Sequence, residues 1–153
     1  MKKLALFILL ALVIISCKSQ RGADGSPGMK GGQNFAILKE AEYGGRETES
    51  HEVIRSQQEL DALFKELGHN RMTVDFSAYN VVAVFMGQKS TGGYKITIEN
   101  VSVKGNTAQV LTKTTVPEPD GMVSMALTQP YCVAYIPKTE KVEVKENPVL
   151  LKK

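Results

Sequence analysis

The amino-acid sequence predicts a β-rich α+β domain, in which about seven strands form a mostly antiparallel, sandwich- or barrel-like sheet beside one amphipathic helix. Three observations support this prediction. Short runs of β-branched and aromatic residues alternate with turns rich in Gly, Pro and Asn. Residues 81–86 form a continuous apolar run with the length of a buried strand. Only the segment after Ser56 combines helical periodicity with signals for a start and a stop.

The first two predicted strands are short and precede the helix. Residues 35–38 form the first, before the turn pair Gly44-Gly45, and residues 51–54 form the second. The later run at residues 81–86 shows no alternation between apolar and polar side chains, so both of its faces should be covered. We therefore expect that run to be the central strand of the sheet.

The helix is predicted by caps at both ends and by its apolar spacing. Ser56 and Glu59 fit a capping box, in which each side chain bonds the backbone near the other. Gly68 supplies the C-terminal stop. The apolar positions between them fall at i, i+3, i+4 and i+7, which places them on one helical face: Leu60, Leu63, Phe64 and Leu67.

A hairpin and two late strands complete the predicted sheet. Apolar residues alternate through residues 94–103, but their phase slips near Asn100, which predicts a bulge. The pair Gly105-Asn106 is typical of a hairpin turn, and residues 108–116 return as the partner strand. The last two strands are predicted at residues 131–136 and 142–144.

The N-terminus is predicted to be a lipoprotein signal peptide, residues 1–16. Two lysines precede the apolar run 4–15, whose helical length of about 18 Å is short of the roughly 30 Å hydrocarbon core of a bilayer. Residues 14–17, Ile-Ile-Ser-Cys, resemble the lipobox of bacterial lipoproteins. That resemblance implies cleavage before Cys17, a diacylglycerol thioether on its sulfur and an acyl chain such as palmitate on its amino group. The expected location is the cell envelope, periplasmic or surface-facing, on the outer membrane of a diderm.

Removal of residues 1–16 leaves a nearly neutral chain with one folded domain. The loss of Lys2 and Lys3 lowers the 19 basic residues to 17, against 16 acidic residues. A net charge of +1 without basic runs between aromatic residues argues against nucleic-acid binding. Residues 17–33 are predicted to be the lipidated cysteine and a flexible linker, 34–147 the folded domain, and 148–153 a tail.

The residues suited to catalysis or metal binding are few and scattered. His51 and His69 have neither each other nor Cys132 at metal-ligand spacing, so no metal site, cofactor or catalytic residue is predicted. Structural roles are expected for these residues: a partly charged imidazole at the helix C-terminus for His69, a strand edge for His51 and a buried apolar position for Cys132. An enzyme with Cys132 as nucleophile and one of the two histidines as base stays open as an alternative.

Three loops dense in small, rigid and aromatic residues are the expected functional surface. They span residues 89–94, 117–122 and 128–131, and the first is expected to join the central strand to its neighbour. Tyr94 and Tyr131 would be aromatic anchors, while glycines would allow a partner's backbone to approach closely. The candidate partner-binding residues are Ser90, Thr91, Gly92, Gly93, Tyr94, Thr128, Gln129, Pro130 and Tyr131.

Residues 81–101 and 128–138, together with the upstream segment 53–67, resemble the C-terminal domain of PrcB-type protease-complex subunits. The most specific features are Ser-Thr-Gly-Gly-Tyr at 90–94 and Thr-Gln-Pro-Tyr at 128–131. The resemblance implies a non-catalytic accessory subunit of a cell-envelope protease, often itself a lipoprotein. It supplies no catalytic residues.

The same loops are similar to those of chagasin-type inhibitors of cysteine proteases. Thr91, Gly93 and Tyr94 match the first inhibitory loop of that family, and Pro130 matches the second, with Tyr131 in place of Trp. The resemblance implies loops that act as a wedge, without implying inhibitory strength. Three positions depart from the inhibitor motifs: Ser90, Gly92 and Gln129.

The sequence therefore predicts a membrane-anchored binding module, not an enzyme. Its expected partner is an envelope protease or the precursor of one, held by the loops at residues 90–94 and 128–131. The alternative is an envelope lipoprotein that binds a small ligand or a glycan at the mouth formed by the same loops.

Overall fold

Seven strands and one helix form three layers in the computed structural model, which describes residues 34–147. The elements are β1 Ala36–Ala41, β2 Glu49–Ile54, α1 Gln57–Glu66, β3 Tyr79–Met86, β4 Lys95–Lys104, β5 Thr107–Thr115, β6 Tyr131–Pro137 and β7 Lys141–Asn147. The α+β class and the elements that define it are confirmed. The predicted signal peptide, lipid-bearing Cys17, linker and C-terminal tail lie outside the described residues. Within residues 34–147, no helix is long and apolar enough to span a bilayer.

The strands form two sheets. The first has the order β1-β6-β3-β2 and is antiparallel throughout, whereas the second has the order β4-β5-β7. In the second sheet β4 and β5 are antiparallel, but β5 and β7 are parallel. This parallel pair needs no helical crossover, because the chain reaches β7 from the other sheet through residues 138–140. The prediction of a mostly antiparallel sandwich is thus confirmed, with one parallel pair added.

β3 lies inside the first sheet and is buried on both faces, as its unbroken apolar run predicts. One set of its side chains packs towards α1, namely Val81, Ala83 and Phe85. The other set packs towards the second sheet, namely Val82, Val84 and Met86. Because the first sheet is covered by the helix on one side and by the second sheet on the other, both sets lie in apolar cores.

The ends of α1 are fixed by local hydrogen bonds. The amide of Glu59 donates to Ser56 Oγ over 3.3 Å, and Glu59 Oε2 accepts from the Arg55 amide over 2.7 Å, one residue before the position expected in a capping box. At the C-terminus, Gly68 has φ +70°, and the His69 amide donates to the Phe64 carbonyl over 2.7 Å. Together with the bond from the Gly68 amide to the Lys65 carbonyl, this is a Schellman motif.

The predicted hairpin between β4 and β5 is confirmed, including its bulge. The strand register shifts between Ile98 and Asn100, and the turn contains Gly105 at φ +58°. The expectation that residues 89–94 join the central strand to its neighbour is wrong, because β3 is paired with β2 and β6. Both edges of β3 are occupied, so the chain after Met86 leaves the first sheet and starts β4 in the second.

Candidate functional site

The two loops singled out in the sequence lie side by side at one end of the domain. The Lys89 amide donates to the Thr128 carbonyl over 2.8 Å, and the Thr128 amide returns a bond to the Lys89 carbonyl over 3.0 Å. The buried Thr128 hydroxyl also donates to the Thr91 carbonyl over 2.9 Å. These bonds fix the 89–94 loop against the start of β6.

The turn between β1 and β2 joins the same end through Gln129. The Gln129 amide donates to the Glu42 carbonyl, and the Gly45 amide donates to the Gln129 carbonyl, each over 3.0 Å. A Cβ at Gly45 would lie 2.5 Å from the Gln129 carbonyl oxygen, so this approach requires glycine. Tyr43, between these two anchors, is 52% exposed.

The predicted loop at 117–122 and the residues just after it pack on Gly92 and Gly93 of the 89–94 loop. The Gly92 amide donates to the Ser124 carbonyl over 2.9 Å, and a Cβ at Gly92 would meet Ser124 Oγ at 2.5 Å. Gly93 has φ +86°, and a Cβ there would lie 3.0 Å from Pro117 Cβ. The sequence suggested that these glycines let the backbone of a partner approach closely. In the structure they let another segment of the same domain pack against the loop. Segments 42–45, 88–94 and 117–130 are called the loop platform below.

The predicted partner-binding residues divide into an accessible and a buried group. The accessible group is at least partly exposed: Ser90, Thr91, Gly93, Tyr94 and Gln129. Lys89 Nζ lies 5.9 Å from the centre of the Tyr94 ring, within range of a cation–π interaction. The buried group lies beneath the loops: Gly92, Thr128, Pro130 and Tyr131.

Tyr131 is a core residue and not an exposed anchor. Only 1% of it is exposed, its ring stacks on Phe85 with centroids 6.1 Å apart, and its hydroxyl is hydrogen-bonded to His69 Nε2. Position 131 begins a strand that is paired on both edges, and its side chain faces the core beneath α1. The sequence carried a signal for this, since residues 131–136 form an apolar run without polar interruption, as residues 81–86 do.

His69 lies at the C-terminus of α1 as expected, but its charge state differs from the expectation. Burial, with a smaller contribution from the charge of Lys39, lowers the pKa of His69, which favours the neutral imidazole. The ring contacts Phe64 edge-on, with centroids 6.0 Å apart. The His69 side chain therefore makes the apolar contact that accompanies a Schellman motif, and it does not place a cation at the end of α1.

Cys132 is buried, as predicted, and is poorly suited to be a nucleophile. None of its surface is exposed, and burial raises the pKa of the thiol to about 12. His69 lies beneath α1, on the other face of the first sheet. His51, exposed on the edge strand β2 as predicted, is in register with Val84, which separates it from Cys132 by two strand spacings of about 5 Å each. Among residues 34–147, therefore, no histidine is placed to act as a base for Cys132.

Two of the grooves in the described part of the domain lie between the edges of its sheets. One of about 200 Å³ lies between β2 and β7, lined by His51, Val84 and Val144 among others. The second, of about 170 Å³, lies between β1 and β4 and is lined by Glu42 and Lys95 among others. Both are below the range of about 300–1,000 Å³ usual for small-molecule sites. The grooves give little support to the small-ligand alternative.

The loop platform also contains an apolar surface that the sequence reasoning missed. Met122, Met125 and Leu127 are 104%, 88% and 58% exposed. Only Met122 falls within a loop that the sequence predicts. The available signal was the spacing Met-x-x-Met-x-Leu in a segment outside any predicted strand or helix.

Comparison with known proteins bears on the same part of the chain. Residues 80–137 match the family described as PrcB C-terminal, which confirms the resemblance seen in the sequence. The matched segment begins in β3, ends in β6 and includes the loops at 88–94 and 117–130. No curated protein and no solved structure matches the chain. The match covers residues 80–137, so this segment is similar to the PrcB C-terminal family, which is associated with protease complexes.

Proposed function

We propose that the protein is a non-catalytic, membrane-anchored subunit that docks a cell-envelope protease, or its precursor, through the loop platform. The family of residues 80–137 supports association with a protease complex. The docking proposal rests on the pair of backbone hydrogen bonds between Lys89 and Thr128. It brings together two loops that lie far apart in the sequence and that both contain accessible candidate residues.

Within this proposal, the accessible and buried loop residues have different tasks. Tyr94 is the aromatic contact, beside Ser90 and Gln129, because these side chains are reachable on the free domain. Thr128 and Pro130 hold the loops in place from below, the latter by accepting a bond from the Met86 amide over 2.9 Å. A surface that is already ordered loses less conformational entropy on binding.

The membrane anchor is the lipid expected on Cys17. Two or three acyl chains exceed the single-chain limit for reversible membrane attachment. A flexible linker of sixteen residues, 18–33, would place the domain roughly 20–25 Å from the bilayer. The protein is thereby proposed to face the periplasm or the cell surface, with the loop platform free to meet its partner.

Capture of the native lipidated protein from detergent-solubilised envelope tests the proposal. A protease should co-purify with the native chain, and Tyr94→Ala should weaken its binding by about 2 kcal/mol, or roughly thirtyfold in Kd. Val103→Ala is the matched control, because Val103 is an exposed apolar residue at the far end of β4 from Tyr94.

Each outcome of the capture has a separate meaning. Failure to recover any protease with the native chain would refute the protease-docking function. Full recovery with a folded Tyr94→Ala variant would place the docking surface elsewhere on the domain. Release of a Cys17→Ser variant from the membrane fraction would support the lipid anchor, and retention would contradict it.

A further inference from the structure

The most exposed apolar side chains among residues 34–147 lie together in the loop platform. Met122, Met125 and Leu127, called the methionine ridge below, are 104%, 88% and 58% exposed. Elsewhere, the exposed apolar residues Ile37 and Val103 reach only 36% and 40%. Clustered exposed apolar residues, unlike scattered ones, mark interaction sites.

The outward direction of the ridge follows from how its segment is attached. Ser124 is held to Gly92 through its carbonyl, and a Cβ at Gly93 would lie 3.3 Å from Val123 Cγ1. Thr128, just after the ridge, is held to Lys89. With Val123 and Ser124 held against the 88–94 loop, the flanking methionines project into solvent.

Within the segment that carries the ridge both charged side chains are acidic, while the neighbouring 88–94 loop adds Lys89, whose Nζ lies beside the Tyr94 ring. Between residues 114 and 137 the only Asp, Glu, Lys, Arg or His residues are Glu118 and Asp120, whereas the chain predicted after removal of residues 1–16 has a net charge of +1. Both carboxylates are exposed and precede Met122 in the same loop. The two carboxylates would repel an anionic bilayer, and they would face each other in a symmetric pair of copies docked ridge to ridge.

We propose that the methionine ridge inserts into an apolar groove of a protein partner whose rim carries Lys or Arg side chains. This proposal about the ridge rests on the proposed function, which identifies the partner as the protease or its precursor. Methionine suits the task because its unbranched, polarisable side chain adapts to the shape of a groove. Basic residues on the rim would pair with Glu118 and Asp120 and increase the rate of association.

Site-specific photo-cross-linking in the native lipidated chain tests the contact directly. A benzophenone amino acid at position 125 replaces Met125, and a matched probe replaces Val103. The expected result is a cross-link from position 125, absent from position 103, to a segment of the protease that is apolar and flanked by Lys or Arg.

The outcomes separate this inference from the proposed function. A cross-link to such a segment of a protein that is not a protease would support the ridge and refute the protease-docking function. A cross-link to lipid, to a second copy of the chain, to a segment without basic neighbours, or to nothing would overturn the ridge proposal. Recovery of a protease in the capture experiment would in those cases leave the proposed function standing.

Substitutions provide the second arm. The triple variant Met122→Ser, Met125→Ser, Leu127→Ser should capture at least tenfold less partner protein than the native chain. The double variant Ile37→Ser, Val103→Ser should capture as much as the native chain. Glu118→Gln with Asp120→Asn should weaken capture at low salt and reduce its dependence on ionic strength. Unchanged capture by the folded triple variant would overturn the proposal, as would binding of the soluble Cys17→Ser protein to phosphatidylglycerol vesicles through the ridge.

Discussion

Tyr131 places a phenol hydroxyl inside the core between α1 and the first sheet, where His69 Nε2 is its partner. Burial raises the pKa of Tyr131 and lowers that of His69, so both groups are held neutral. In that state the phenol donates to Nε2 when the imidazole proton is on Nδ1, and Nε2 donates to the phenol oxygen in the other tautomer. The pair therefore connects the end of the helix to the base of the loop platform without introducing a charge.

Two substitutions at Tyr131 should separate its packing from its hydrogen bond. Tyr131→Ala is expected to lower the free energy of unfolding by about 3–5 kcal/mol, because it leaves a cavity where an aromatic ring was packed. Tyr131→Phe keeps the ring but leaves Nε2 of His69 without its hydrogen-bond partner, at a cost of about 1–3 kcal/mol. Urea denaturation measures both, and an unaffected Tyr131→Ala variant would show that the ring is not part of the core.

The lowered pKa of His69 predicts a pH dependence of stability. Below the ordinary value of 6.5 the unfolded chain binds a proton at this site more readily than the folded chain, so the free energy of unfolding decreases as the pH falls. The decrease is complete below the pKa of the folded state. Thermal denaturation of wild type and His69→Gln between about pH 7.5 and about pH 5 checks this, since the variant should lose that slope.

A second contribution to the pH dependence belongs to a lower pH range. Hydrogen bonds from Arg46 lower the pKa of Glu66 below its ordinary value of 4.5, so the stability contributed by this pair is lost as the pH falls through the folded-state pKa. The Glu66→Gln variant should therefore leave the slope from His69 unchanged. A slope shared by His69→Gln and wild type would contradict the assignment to His69.

At the scale of elements, α1 depends on its caps as well as on its apolar face. Ser56→Ala removes the acceptor of the Glu59 amide and should cost about 1 kcal/mol of unfolding free energy. Gln58→Ala, exposed in the first turn, is the control and should change stability by less than about 0.5 kcal/mol. Equal effects of the two substitutions in urea denaturation would argue against the cap.

The placement of the 117–130 segment should depend on Gly93 more than on other glycines of similar conformation. Gly93→Ala adds a Cβ 3.0 Å from Pro117 Cβ at φ +86°, whereas Gly44→Ala has a similar φ of +84° but open space around it. Hydrogen exchange of the 117–130 amides should therefore increase in Gly93→Ala and remain unchanged in Gly44→Ala. The same response in both variants would mean that backbone strain alone, and not the contact with Pro117, is responsible.

What the sequence predicts well is what neighbouring residues determine. The start and end of α1, the bulge before Asn100 and the turn at Gly105 all follow from hydrogen bonds and backbone angles within a few residues. The neighbours of β3, the parallel pairing of β7 and the contact of Gly92 with Ser124 depend on segments distant in the sequence. The burial of Tyr131 belongs to the same class, because it follows from which strands flank β6.

At the scale of the whole molecule, Cys132 reports on the integrity of all three layers. It lies in the strand between β1 and β3, its thiol faces the second sheet, and burial raises the pKa of that thiol to about 12. We expect the thiol of a Cys17→Ser chain to react with a disulfide reagent only through global unfolding. The rate should therefore rise with urea in step with the unfolding equilibrium.

A cysteine placed on the loop platform gives the control for that measurement. Ser90→Cys, at an exposed position, should react rapidly in the absence of denaturant. Fast labelling of Cys132 in the native protein, at a rate independent of urea, would show that the sheets separate locally without unfolding.

The strand order of the first sheet determines the order in which its strands can pair while the chain is synthesised from its N-terminus. β1 has β6 as its sheet neighbour, and β6 also completes the second edge of β3, so β1 has no partner strand and β3 has one open edge until residues 131–137 have been synthesised. Unpaired strand edges are templates for aggregation. A nascent chain that ends before β6 therefore cannot complete the first sheet, and its open strand edges should be bound by chaperones. The domain can fold on its own only when its last quarter has emerged.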